Sequence, residues 1–147
     1  MDGLKFTFER GGTIYARLFD LTSESKKSIL EILPIESNIN HTRWCGREVY
    51  TGIKTTTKPS KENQTAIASK FDVTYWRDWD RDCEGKGQQA ESLSLFYGTD
   101  LLQWHDGLLH VNVIGRVGVE QEDLLEEIGL RVWQQGSEKV TVEYFSF

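Results

Sequence analysis

The chain has 147 residues, 38% hydrophobic and 27% charged, and its 17 basic and 23 acidic side chains leave a formal charge of −6. That length suits a single domain, read here as residues 1–147, and the diffuse negative charge disfavours nucleic acid and anionic membrane surfaces as partners. No run exceeds three apolar residues, which excludes a transmembrane helix and a secretory leader. Two cysteines cannot form a disulfide framework, so the expected setting is soluble and cytoplasmic.

Leu4, Phe6 and Phe8 alternate with Lys5, Thr7 and Glu9, the period of a strand with one apolar face. Gly11-Gly12 supplies a tight turn, and residues 13–18 return as the partner strand. A short helix follows, with Thr22 or Ser23 as its cap, Ile29, Leu30 and Leu33 as its apolar stripe, and Pro34 as its stop. Extended segments are predicted over residues 38–44 and 47–53, with a turn or bulge at Gly46. Residues 54–65 are polar, contain Pro59, and read as a solvent-exposed loop, the least ordered part of the domain. Strands are predicted at residues 71–76, 93–97 and 111–117, with a hydrophilic excursion over residues 77–91. Residues 120–135 form the clearest helix, acidic in its first turn, buried through Leu124, Leu125, Ile128, Val132 and Trp133, and ended by Gly136. Val140, Val142 and Tyr144 alternate with Lys139, Thr141 and Glu143 in a closing strand.

About eight strands with short connections predict antiparallel pairing. The expected fold is mainly β: a closed eight-stranded antiparallel barrel capped by two α-helices, with an open sheet backed by the helices as the alternative.

Several motif-like strings lack the context their chemistry needs. Gly85-Lys86-Gly87-Gln88-Gln89-Ala90 has no buried strand before it and no helix after it, so it does not form a dinucleotide site. Asp78, Asp80 and Asp82 begin like a calcium loop, but Cys83 and Gln89 stand where the turn glycine and the bidentate glutamate belong. His41, His105, His110, Cys45 and Cys83 show no metal-ligand spacing, and a His105/His110/Cys83 cluster could arise only through folding. No metal and no cofactor is expected.

The segment His41-Thr42-Arg43-Trp44-Cys45-Gly46 is more informative. On a strand, His41 and Arg43 would share one face. An arginine stays charged, so it must reach solvent, a carboxylate or a ligand. A surface ion pair is one reading. The other is a planar donor fork presented to a carboxylate or carbonyl, with Trp44, Trp76 and Tyr97 as ligand-binding walls and His41 as an acid or base.

The order of elements, with the strings Phe6-Thr7-Phe8-Glu9, His41 to Val49, Leu95-Phe96-Tyr97-Gly98 and Val111 to Val117, resembles a family of prokaryotic proteins of unknown function that is similar to cyclophilins in fold. The resemblance implies an eight-stranded barrel with two capping helices, and it makes Arg43 the counterpart of the arginine that prolyl isomerases use. Such a guanidinium favours the twisted amide by bonding the prolyl nitrogen, against a barrier of roughly 18–20 kcal/mol. The isomerase pattern continues after its arginine with Pro-Gly-Phe-Met-x-Gln-Gly-Gly, whereas this chain continues Trp44-Cys45-Gly46-Arg47-Glu48-Val49-Tyr50. Cyclophilin-like domains also occur in enzymes of urea-derivative metabolism.

The favoured expectation is therefore a site near Arg43 for a small carboxylate, amide or peptide-like ligand. A divergent peptidyl-prolyl isomerase is the second reading. A homo-oligomeric subunit, joined through exposed aromatics in residues 75–79, is the third.

Overall fold

In the computed structural model, which describes residues 1–79, 90–104 and 107–147, the alternating segments become the staves of a barrel. Strand β1 (Asp2–Phe8) pairs with β2 (Thr13–Leu18) through the Gly11-Gly12 turn, where φ angles of +113° and +98° suit glycine. On its other edge β1 pairs with β13 (Glu138–Ser146). The ring then runs through β3 (Ile35–His41), β4 (Glu48–Gly52), β8 (Glu91–Phe96), β7 (Asp72–Arg77) and β12 (Val111–Val117). β12 pairs back onto β2, so eight antiparallel strands close on themselves. Among the described residues, five two-residue strands lie outside the ring. β5 (Gln64–Thr65) adds to β12, β6 (Ile67–Ala68) pairs with β9 (Asp100–Leu101), and β10 (Gln103–Trp104) pairs with β11 (Gly107–Leu108).

The inward residues fill the barrel. Leu4, Phe6, Ile14, Ile39, Val49, Tyr75, Leu93, Leu95, Ile114 and Val142 are all at most 1% exposed, and burying each large side chain contributes about 1.5–3 kcal/mol. Tyr75 thus belongs to the core. Trp79 packs partly buried against the same core and donates its indole N–H to the Pro59 carbonyl at 3.1 Å. The aromatics of residues 75–79 are therefore not the exposed patch that the oligomer reading needs.

The helices sit at opposite ends. α1 (Ser23–Glu31) lies where β1 and β12 begin. Ile29 is in the core, and Lys26 pairs with Asp2 at 2.9 Å. Its N-terminus is not capped by its own residues. The Thr22 hydroxyl turns back to the Phe19 carbonyl, and the Glu62 carboxylate accepts from the Glu24 and Ser25 amides at 3.0 and 2.9 Å. Residues 54–65, expected to be exposed and least ordered, are thus fastened at both ends of the segment. Thr55 and Lys58 bond the buried Glu91, and the Glu62 amide donates to Asn112 at 2.9 Å. Their polarity serves buried acids and helix amides rather than water.

α2 (Glu122–Gln135), entered through a 3₁₀ turn at Val119–Gln121, covers the other end near the Gly11-Gly12 turn and β3. Leu125, Ile128, Gly129 and Val132 form its buried stripe, whereas Trp133 is 60% exposed. Position 133 falls at the edge of that stripe, which corrects its expected burial. Among the described residues, no helix is long and apolar enough to cross a membrane.

Outside the wall, over β7, β8 and β12, lies a second apolar layer of Cys45, Ala68, Phe96, Leu102 and Val111, joined by Trp76 and Leu109. The Glu62 cap is testable on its own. Glu62→Ala should lower stability by about 1–2 kcal/mol in equilibrium denaturant unfolding, and an unchanged midpoint would show that α1 does not depend on it.

Candidate functional site

Strand alternation decides which residues face the second layer. Val49 on β4, Leu93 and Leu95 on β8, and Val73 and Tyr75 on β7 point inward, so Glu48, Tyr50, Ser92, Ser94 and Trp76 point outward. The second layer does not cover this wall completely. It leaves a cleft of about 310 Å³ lined by His41, Arg43, Trp44, Glu48, Tyr50 and Trp76, together with Ser92, Leu102 and Leu109. That volume is at the lower end of the range for small-molecule sites.

The mouth is built by residues 42–47. β3 stops at His41, so Arg43 stands on a loop and not on the expected strand. The Thr42 hydroxyl donates to the Cys45 carbonyl, and this local bond competes with extension of the strand. The loop is held by the Thr42 amide on the Glu48 carbonyl, the Tyr97 amide on the Arg47 carbonyl, and the Arg47 amide on Asp100 at 2.7 Å. Arg43 is exposed at the cleft, and Trp44 beside it is 55% exposed.

His41 is fixed from three sides. Its Nδ1 lies 2.8 Å from the Thr42 carbonyl, so it carries the proton and donates. Its Nε2 lies 2.7 Å from the Tyr97 hydroxyl, which is also 3.1 Å from the Gly46 carbonyl. The Trp133 ring packs 4.8 Å away, centroid to centroid. Both ring nitrogens are engaged within the protein, so the imidazole braces the loop. Tyr97 is buried behind His41 and does not line the cleft. Gly129 on α2 makes room for Tyr97, since a Cβ there would lie 2.2 Å from the tyrosine ring.

Glu48 was not singled out by the sequence. It is 9% exposed and lines the cleft, and burial pushes its carboxyl up to about 7. Ser94 and Cys45 bond it and pull the other way, while Asp100 adds repulsion. Among the described residues, no lysine, arginine or histidine acts on it. The Cys45 thiol is itself pushed up to about 12, chiefly by burial, so it is protonated at neutral pH and is not a nucleophile. Glu91 makes the contrast. Burial also opposes its charge, but Lys58 at 2.5 Å, with Thr55 and Tyr75, holds it below its ordinary range. One buried acid is neutralised by its neighbours; the other, among the described residues, is not.

The signal for Glu48 was weak. It alternates with Val49 as a solvent-facing strand residue would, and only the layer laid over that face removes it from water. Among the described residues, no group of three or more His, Cys, Asp and Glu side chains could hold a metal. Cys83, His105, Asp80, Asp82 and all but the last residue of the glycine-containing string 85–90 lie outside the described residues.

A filled antiparallel barrel, with helices over its ends and a half-roofed cleft on its outer wall, defines a β-barrel protein with its candidate site outside the barrel. Residues 8–144 match the protein family of unknown function DUF3830, and the chain belongs to that family. No curated protein matches the sequence. Among solved structures, the chain is similar in fold to McbB in complex with tryptophan, at 18% identity and a TM-score of 0.67. That match covers 95% of this chain but 44% of McbB, so the chain spans less than half that protein's length. It is also similar to the hypothetical protein AF2241 from Archaeoglobus fulgidus, at 25% identity and a TM-score of 0.57, over 96% of this chain and 92% of the other.

Two predictions follow from the geometry. Gly129→Ala should gain roughly 1 kcal/mol of helix propensity but lose about 1–3 kcal/mol by forcing the Tyr97 ring aside. A net fall in thermal stability is expected, and a rise would remove Gly129 from this role. The unfolded chain ionises Glu48 near its ordinary 4.5 and the folded chain near 7, so the folded state holds the extra proton between these values. Stability should therefore fall as pH rises through that window, by on the order of 3 kcal/mol once complete. The advantage of Glu48→Gln over wild type should grow between pH 4.5 and 8 in denaturant unfolding, and a constant difference would contradict it.

Proposed function

We propose that the cleft binds a small amphipathic ligand carrying a carboxylate or amide group, with the Arg43 guanidinium taking that group at the mouth and Trp44 and Trp76 flanking the apolar part. The observation that carries this reading is the convergence of one cavity, two tryptophans, an exposed guanidinium and a buried carboxyl beside the second apolar layer. A guanidinium offers two parallel donors to a carboxylate or carbonyl. The tryptophans supply large apolar area at little conformational cost.

The tryptophan bound in the McbB structure is a ligand of this size and character, and it suggests a probe series. Indole-3-propionate should bind wild type in calorimetric titration, Arg43→Ala should weaken it about tenfold or more, and Trp76→Ala should weaken it independently. A proline-containing chromogenic peptide should show no catalysed isomerisation. Catalysis abolished by Arg43→Ala would instead establish the isomerase reading, and indole-3-propionate binding indifferent to both substitutions would move the site elsewhere.

A further inference from the structure

Taking the cleft to be the ligand site, we propose that Glu48 is its cation-recognising group and that the ligand carries an amine as well as the acid held by Arg43. The ammonium would sit against the Glu48 carboxylate, within reach of the tryptophan faces.

Three observations converge. Glu48 lines the cavity yet is nearly removed from water, and among the described residues no basic side chain acts on it. An ionised carboxylate so placed needs a partner, and the cleft is the side from which one can enter. Ser94 and Cys45 already bond the carboxyl, which fixes its orientation without supplying a charge to offset its own. The cavity also presents Trp44 and Trp76, whose ring faces attract organic cations through their quadrupoles. A buried acid serving only the fold would be neutralised from within the protein, as Lys58 neutralises Glu91 on the neighbouring strand β8. A neutral ligand would leave Glu48 protonated and unused.

The proton balance follows. Below neutrality the free protein holds Glu48 as the carboxylic acid, and an incoming R–NH₃⁺ displaces that proton to solvent to form the carboxylate–ammonium pair. Amine affinity should therefore rise about tenfold per pH unit below neutrality and level off above it. The other titratable groups facing Glu48 are Cys45 and Asp100, with His41, Arg43, Tyr50 and Glu91 on the cleft wall. The decisive variant keeps His41 and changes only Glu48.

The test compares four indoles on the full chain by isothermal titration calorimetry: tryptophan with amine and acid, tryptamine with amine only, indole-3-propionate with acid only, and indole with neither. At pH 6, in two buffers of different ionisation enthalpy, tryptophan and tryptamine should each release close to one proton on binding wild type, and the other two none. Glu48→Gln should abolish that release and weaken both amines at least tenfold at pH 8 while leaving indole-3-propionate unchanged. Equal binding of amines by wild type and Glu48→Gln, with indole-3-propionate still dependent on Arg43, would overturn the role of Glu48 and leave the acid-binding cleft standing. No binding by any of the four would overturn both. The proton release is read on wild type, so the inference stays falsifiable if Glu48→Gln does not fold.

Discussion

The pairing of β12 with β2 is the constraint on which everything else rests. It converts a sheet with two edges into a ring, and the ring has an inside that must be filled. Phe6, Tyr75, Leu93, Leu95 and their neighbours fill it completely. A barrel of this size has an interior just wide enough for such side chains. The cleft lies on the outer wall, where side chains would ordinarily be solvated and chemically ordinary.

What makes one part of that wall different is the layer laid over it. Phe96, Leu102 and Val111 remove water from the outer faces of neighbouring strands, and the loop at residues 42–47 closes one side. Desolvation then acts selectively. Glu91, with a lysine and two hydroxyls, keeps its charge, whereas Glu48, with a serine and a thiol, holds its proton towards neutrality. Two carboxylates on neighbouring strands thus have opposite electrostatic characters because of what lies against them.

The loop itself is supported from a distance. Gly129 on α2 admits the Tyr97 ring, Tyr97 reaches His41, and His41 holds the Thr42 carbonyl next to Arg43. A helix that caps one end of the barrel therefore also sets the shape of the cleft mouth, and the same residues contribute to stability and to the site.

The residue pattern by itself determined the barrel staves, the two helices and their order, because side-chain alternation and helical periodicity are local properties that survive without knowledge of partners. It also marked His41, Arg43, Trp44 and Trp76 as neighbours of one cleft, since three of them lie within four consecutive residues. Only the tertiary structure decided that β3 ends before Arg43, that residues 54–65 are tethered, that Tyr97 stands behind the cleft, and that Trp133 lies at the edge of its helix. It alone brought out Glu48. The physical reason is the same in each case: burial, hydrogen-bond partners and charge compensation come from segments distant in sequence, and a glutamate alternating with a valine looks solvent-facing until another part of the chain is laid over it.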